Sequence, residues 1–332
     1  MADDASSGHP YDDLTPDRVL DAVEAAGFRP DGGLFPLNSY ENRVYQIGLE
    51  DAPPLIAKFY RPARWDDAAI LEEHAFACAL QEAEIPVVAP LRGPDGSTLY
   101  RHAGFRFALF PRQGGRTPDL ENPDALERMG RFLGRIHQLG AARAFAHRPR
   151  LDVDGFARSA ARFLLDHEWL PLEHASRYRA LASTLLARAD QAFAAATGVQ
   201  WIRLHGDCHP GNILWTDSGP HFVDLDDCRS GPAIQDLWML LSGEREERAL
   251  QLAYLREGYE TFRELDPREV ALIEPLRTLR MIHYAGWLAR RWDDPAFPAA
   301  FPWFNTPQYW QDHVVSLEQQ LAAMEEPPLP LY

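Results

Sequence analysis

Cysteine is scarce: Cys78, Cys208 and Cys228 are the only three in 332 residues. They are too few and too scattered for a disulfide framework, which points to a reducing compartment and so to the cytoplasm. Long apolar runs are also missing. No stretch approaches the roughly eighteen apolar residues of a membrane span. The first ten residues, Met-Ala-Asp-Asp-Ala-Ser-Ser-Gly-His-Pro, have neither the basic start nor the apolar run of a secretion signal. Small and acidic, residues 1–10 read as a disordered N-terminus. Positive charge is in deficit, with 33 Lys and Arg against 49 Asp and Glu, a formal net charge of −16. That balance disfavours nonspecific partnership with nucleic acid or an anionic membrane. There is no internal repeat, and the tail Glu-Glu-Pro-Pro-Leu-Pro-Leu-Tyr is the only biased segment.

What is present is a soluble globular composition, 46% hydrophobic and 25% charged, in a chain long enough for two lobes. Thr15-Pro16-Asp17 supplies a helix cap, a proline for the first turn and a favourable N-terminal charge, and Gly27 ends that helix. Val44, Tyr45, Ile47 and Leu49, then residues 55–60, read as a strand pair around the turn at 51–54. A helix is expected over 66–83, and short β runs at 86–91, 97–101 and 104–110. Phe110-Pro111-Arg112-Gln113-Gly114-Gly115 breaks the pattern and marks a hinge. Beyond it helices are expected from Asn122 to His137 and near 155–167, 173–197, 233–263, 267–292 and 306–325. Only 201–204, 212–216 and 221–225 read there as strands. The expected organisation is a first lobe over 11–112 and a second over 113–332.

The chemistry concentrates in residues 204–227. Asp207 and Asn212 lie in a loop held by Gly206, Pro210 and Gly211, and Asp224 closes a short apolar strand. Phosphoryl transfer needs in-line positioning, metal on the phosphate oxygens and a carboxylate beside the acceptor hydroxyl. Asp207 suits the last role, and the oxygens of Asn212 and Asp224 suit hard Mg²⁺, which completes its shell with water and phosphate. Asp226 reads either as a further metal ligand or as a structural acid. A zinc site built from His205, Asp207 and His209 is the rival, but it leaves Asn212 and Lys58 without a role.

The run His-Gly-Asp-x-His-x-x-Asn, followed by Asp-Leu-Asp where protein kinases carry Asp-Phe-Gly, resembles the aminoglycoside phosphotransferase and choline kinase superfamily. Leu-Asn-Ser-Tyr-Glu-Asn-Arg-Val-Tyr-Gln at 37–46, Lys-Phe-Tyr-Arg-Pro at 58–62, Gln-Asp-Leu-Trp-Met-Leu-Leu at 235–241 and Ala-Arg-Arg-Trp-x-Asp-Pro-Ala-Phe-Pro at 289–298 narrow the likeness. Together they resemble the bacterial stress response kinase A family over nearly the whole chain. The resemblance implies an α+β, bilobal, protein-kinase-like fold with a small β-rich N-lobe, a larger helical C-lobe, and ATP and Mg²⁺ between them. It implies a monomeric serine/threonine protein kinase that acts on protein substrates and on itself and serves stress survival. A small-molecule kinase acting on an amino alcohol, sugar or homoserine-like metabolite is the alternative, and a nucleotide-binding pseudokinase a further one.

On the nucleotide side, Lys58 falls mid-strand and reads as a contact to ATP phosphates, with Glu73 of the following helix as its partner; solvent-facing charges are the plain alternative for both. The loop at 37–42 lacks Gly-x-Gly-x-x-Gly; Ser39 reads there as a contact to phosphates through its hydroxyl or backbone N–H, with an ordinary turn serine as the alternative. Asp236 reads as a cap or a brace for the catalytic loop. Trp287, Arg290, Arg291 and Trp292 read as core or, alternatively, as the lining of an acceptor cleft.

Overall fold

The structure is a computed structural model that describes residues 9–331. The chain divides into two compact units: residues up to Gly114 together with Asp293–Ala300, and Gly115–Trp292 together with the chain from Phe301 onward. Among the described residues no helix is long and apolar enough to cross a membrane. Residues 1–8 of the expected disordered start lie outside those described. His9 and Pro10 open a turn in which the His9 N–H donates to Asp12 Oδ2 at 2.7 Å.

In the first unit Thr15 caps α1 (Pro16–Ala25), its side chain accepting from the Arg18 N–H. Five antiparallel strands follow, β1 (Pro30–Pro36), β2 (Arg43–Leu49), β3 (Leu55–Phe59), β4 (Tyr100–His102) and β5 (Phe105–Pro111), with α2 (Asp67–Glu82) between β3 and β4. Their order in the sheet is β1-β2-β3-β5-β4. The two-residue period of the strands sorts the faces. Leu55, Ala57, Phe59, Phe107 and Leu109 join Val19, Ala22 and Val23 of α1 in one core, whereas Ala108 packs with Tyr60 and Ile70 of α2 on the other side. Lys58 pairs with Ala108 across the ladder and so shares the α2 face. The run at 86–91 forms no strand: Pro86 and Pro90 remove ladder donors, and Leu91 instead donates to the Leu109 carbonyl at 2.7 Å. β1 is an addition, built on Pro30-Asp-Gly-Gly, residues with little strand preference of their own.

The second unit contains α3 (Pro123–Ala141), α4 (Ser159–Asp166), α5 (Leu172–Ala195), β6 (Ile202–Leu204), β7 (Ile213–Thr216), β8 (Gly219–Phe222), β9 (Arg229–Gly231), α6 (Ile234–Trp238), α7 (Arg245–Tyr259) and α8 (Ile273–Arg290). β6 pairs with β9 and β7 with β8. The single helix expected over 233–263 is two, because Glu244 and Glu247 form a reciprocal capping box that starts α7 afresh. α3 and α7 pack backbone to backbone: a Cβ at Gly258 would lie 1.8 Å from the Glu127 carbonyl oxygen.

After α8 the chain returns to the first unit as Asp293–Ala300, which includes the short α9 (Ala296–Ala300), and then goes back to the second for α10 (Pro307–Ala323). The boundary expected from sequence, 113–332 as one lobe, therefore omits this strap. Its anchor is Asp294, 4% exposed, which accepts from Arg61 NH1 at 2.9 Å and from Arg43 NH2 at 3.1 and 3.2 Å.

Candidate active site

In the second unit, β6 delivers the chain to His205-Gly206-Asp207, and a single 3-10 turn, Pro210–Asn212, leads straight into β7. Gly206 has a φ of +86°, and a Cβ there would stand 2.3 Å from the Asp227 carbonyl oxygen, so the loop bearing Asp207 lies directly against the loop bearing Asp224 and Asp226. Further bonds tie the two loops. The Val223 N–H donates to the Asn212 carbonyl at 3.0 Å, and His205 Nε2 donates to the Val223 carbonyl at 2.9 Å. Asn212 Nδ2 donates to the Asp207 carbonyl at 3.0 Å, which leaves the amide oxygen as the acceptor end of that side chain. Asp224 is exposed, in the left-handed region at φ 60° and ψ 62°. Such a conformation is costly for a residue other than glycine and recurs where a side chain must be aimed. Asp226 is buried, and Arg148 holds the backbone beneath it, donating to the carbonyls of Asp226 and, at 2.9 Å, Cys228.

A buried carboxylate fixes this arrangement from behind. Asp236 on α6 accepts from the N–H groups of His205 at 2.8 Å and Gly206 at 2.9 Å, and from His137 Nε2 at 3.0 Å. Burial alone would raise its pKa; the His137 bond, the charges of His137 and His205 and the Gly206 N–H outweigh it and hold the carboxyl below the usual range. α6 is itself anchored by Glu269, which accepts from the Ile234 N–H at 2.8 Å and whose pKa burial pushes up to about 7.

Asp207 is half-buried, and Arg280 of α8 donates from NH1 to its Oδ1. His209 Nε2 stands 3.5 Å from its Oδ2, and His209 Nδ1 accepts from the Gly211 N–H at 3.0 Å. Burial, followed by the opposing pull of Asp207 and the push of Arg280, lowers the His209 pKa, which leaves a neutral imidazole facing the carboxylate at pH 7. Cys208 between them is fully buried and its thiol pKa is raised well above normal, chiefly by burial, so it is no nucleophile.

Of the residues expected on the nucleotide side, Lys58 and Glu73 meet in the first unit. Lys58 Nζ is 3.8 Å from Glu73 Oε1, both side chains buried. Ser39 Oγ donates to the Asn42 carbonyl at 3.3 Å, closing the loop 37–42 on itself. Asn42 Oδ1 accepts from the Arg61 N–H at 3.1 Å, and Glu41 lies 3.7 Å from Arg61 and 3.8 Å from Arg64. The strap carboxylate Asp294 thus grips the same arginine that supports the loop. Burial pushes the Asp294 pKa up, but the Ala296 N–H, Arg43 and Arg61 together bring it below normal.

Asp207, Asn212, Asp224 and Asp226 therefore occupy adjoining loops of one unit, and Ser39, Lys58 and Glu73 the other unit. The donor set fits a divalent cation of the Mg²⁺ type, because Asn212 and Asp224 offer oxygens only. Of the zinc rival's imidazoles, that of His205 is already engaged by the loop, Nε2 donating to the Val223 carbonyl and Nδ1 accepting from the Asp207 N–H. Arg290 and Trp292 are accounted for by packing. Arg290 NH2 donates to the Ser159 carbonyl at 2.8 Å, and Trp292 lies 4.9 Å from the ring of Phe304. Sequence reasoning missed Arg280, Arg61 and Asp294. Arg61 and Asp294 both sit in runs that carried the family likeness, so that signal was available; Arg280 had none.

These loops, a carboxylate and an amide five residues apart beside a second carboxylate in strained backbone, define a phosphotransferase of the kinase-like fold. Residues 34–273 match the phosphotransferase enzyme family. The chain is 46% identical over 332 residues to stress response kinase A of Escherichia coli (strain K12), with 98% of each chain covered. It is also 46% identical over 321 residues to the serine/threonine protein kinase RdoA of Salmonella typhimurium (strain LT2), with 97% of each covered. The chain belongs to the stress response kinase A family of phosphotransferases. Solved structures share the fold at low identity. An amicoumacin kinase in complex with AMP-PNP, Ca²⁺ and Ami superposes with a TM-score of 0.67 at 19% identity over 90% of this chain and 94% of that one. A microcompartment-associated aminopropanol kinase gives 0.68 at 18% over 95% and 99%.

Proposed function

We propose that this protein is an ATP- and Mg²⁺-dependent serine/threonine protein kinase of the bacterial stress response, monomeric and cytoplasmic, that phosphorylates protein hydroxyls including its own. The observation that carries the reading is the Asp207 carboxylate, fixed through the loop that Asp236 braces and partly exposed to solvent, in a chain nearly half identical to a named serine/threonine protein kinase over 97% of its length. Asp207 orients the acceptor hydroxyl and receives its proton as the oxygen bonds to the γ-phosphorus and the bond to the β,γ-bridging oxygen breaks, releasing ADP. Lys58, aligned by Glu73, and the loop at Ser39 hold the ATP phosphates. Asn212 and Asp224 are the residues to hold Mg²⁺, with Asp226 supporting the loop between; the ion, when bound, offsets charge on the phosphate oxygens.

Incubating the protein with γ-labelled ATP and Mg²⁺, with Asp207→Asn in parallel, tests this. Label on Ser or Thr of the wild type alone, with ATP binding retained in the variant, is the expected result. A second reading, transfer to a small metabolite, draws on the amicoumacin and aminopropanol kinases that share the fold. An unlabelled protein whose ATP turnover starts only on addition of a hydroxylated metabolite would replace the first reading by the second.

A further inference from the structure

The carboxylate assigned to meet the acceptor hydroxyl is already in contact with a cation. Arg280 NH1 donates to Asp207 Oδ1, and the two side chains remain 35% and 23% exposed, so the pair is reachable from solvent. A guanidinium carries five N–H donors in a planar fork that matches carboxylate and phosphate. Among the described residues Asp207 is the only hydrogen-bond partner of Arg280, and the side chain is 35% exposed, which leaves the other N–H donors of that fork available to a group that approaches Asp207. The next carboxylate of the metal loop is matched in the same way. Arg229 donates to the Asp227 carbonyl and to its Oδ1, each at 2.8 Å. A cationic acceptor approaching Asp207 therefore meets a positive charge at contact, whereas an anionic group beside the hydroxyl meets an unused donor edge.

We propose that Arg280 is a specificity-determining residue that selects an acceptor whose hydroxyl is flanked by an anionic group: a serine or threonine next to a carboxylate or phosphorylated side chain. The inference rests on the protein-kinase reading above. The anionic flank takes the open edge of the guanidinium and draws it from Asp207, freeing Oδ1 for the hydroxyl proton, so recognition and release of the catalytic carboxylate are one event. A neutral flank leaves the pair closed, and a cationic flank is repelled by it.

The test is a set of single-serine peptides with Glu, phosphoserine, Gln or Arg beside the acceptor, assayed with γ-labelled ATP and Mg²⁺ on wild type, Arg280→Gln and Arg280→Glu. The readout is the ratio of kcat/KM between peptides, which a uniform loss of activity does not move. Wild type is expected to favour Glu or phosphoserine over Gln by about tenfold or more, the size of one accessible charge-assisted contact. Arg280→Gln brings the ratio near one, and Arg280→Glu turns it toward Arg. The Glu and phosphoserine arms tell which anion is preferred. Equal use of Glu and Gln by wild type, a preference for Arg, or a ratio untouched by Arg280→Gln overturns the inference. If no peptide is labelled but glycerate or ethanolamine is, the protein-kinase reading fails by itself; preference for glycerate then upholds anion selection by Arg280 and preference for ethanolamine overturns it. Turnover of none of these overturns both.

Discussion

Replacing Asp236 by Asn keeps the shape of the side chain and removes its charge and one acceptor oxygen, which isolates what the carboxylate contributes. Three donors converge on it: the N–H groups of His205 and Gly206 and Nε2 of His137. In its better orientation the amide oxygen takes the place of Oδ2 and keeps His205 and His137, while the amide nitrogen faces the Gly206 N–H. One buried donor is then orphaned, at about 1–3 kcal/mol, and two charge-assisted bonds become neutral ones at a loss of about 1 kcal/mol each. The sum, roughly 3–5 kcal/mol, is a large share of the about 5–15 kcal/mol that a folded domain has in hand. Gly206 immediately precedes Asp207, so the loop shifts where the chemistry occurs, and displacement by about 1 Å lowers turnover on the order of a hundredfold. Urea unfolding followed by tryptophan fluorescence reads the first quantity and labelled-phosphate transfer the second. The pKa of Asp236 is depressed, so its stabilisation is present above the unfolded carboxyl pKa of about 3.9 and is lost as pH falls through the folded value. A loss below about 1 kcal/mol with turnover intact would refute the assignment of Asp236 as the brace of the catalytic loop.

Two further predictions concern packing. His313 sits among Tyr178, Tyr309 and Trp310, 8% exposed, and burial lowers its pKa to about 4. As pH falls from about 6.5 to 4 the unfolded chain takes up a proton that the folded chain does not, so about 3 kcal/mol of stability is lost over that window. His313→Phe should remove this portion of the pH dependence, and a stability difference between variant and wild type that stays constant from pH 7.5 to pH 4.5 contradicts it. Gly206→Ala forces a side chain into positive φ and against the Asp227 carbonyl, separating the two loops. We expect a destabilisation of about 2–4 kcal/mol and loss of transfer activity, and wild-type turnover in this variant would show that the loops need not touch.

Legibility in the sequence followed the range of the interaction. Thr15 and its proline announce α1 because capping is settled within four residues, and β3 and β5 announce themselves as short, largely apolar runs whose partners lie in the same sheet. The candidate catalytic loop stands out because Asp207, Asn212 and Asp224 are near one another along the chain and of a chemistry that few plain loops combine. Arg280 is 73 residues from Asp207, on a helix that also carries Arg277 and Arg290. Arg277 is bound to Glu274 and Arg290 to Ser159, and no pattern along the helix says which of the three meets Asp207. β1 escaped because ladder pairing with β2, and not its own Gly-Gly sequence, makes it a strand. Pro86 and Pro90 were visible signs against a strand at 86–91, and their missing donors decided the matter.

The strap also sets an order of events during synthesis. The first unit is nearly all made by Gly114, yet Arg43 and Arg61 wait for Asp294, which leaves the ribosome only after the whole stretch from Gly115 to Trp292. At about 5–20 residues per second, that delay is roughly 10–40 s, long compared with the folding of a small domain. During it the newly made sheet carries two partly buried guanidiniums without their acid, beside the loop at Ser39. A chain that ends before Asp294 therefore lacks the acid that Arg43 and Arg61 share, whether or not Asp207 has been made. Completion of the smaller unit thus waits until nearly all of the chain ahead of α10 has been made.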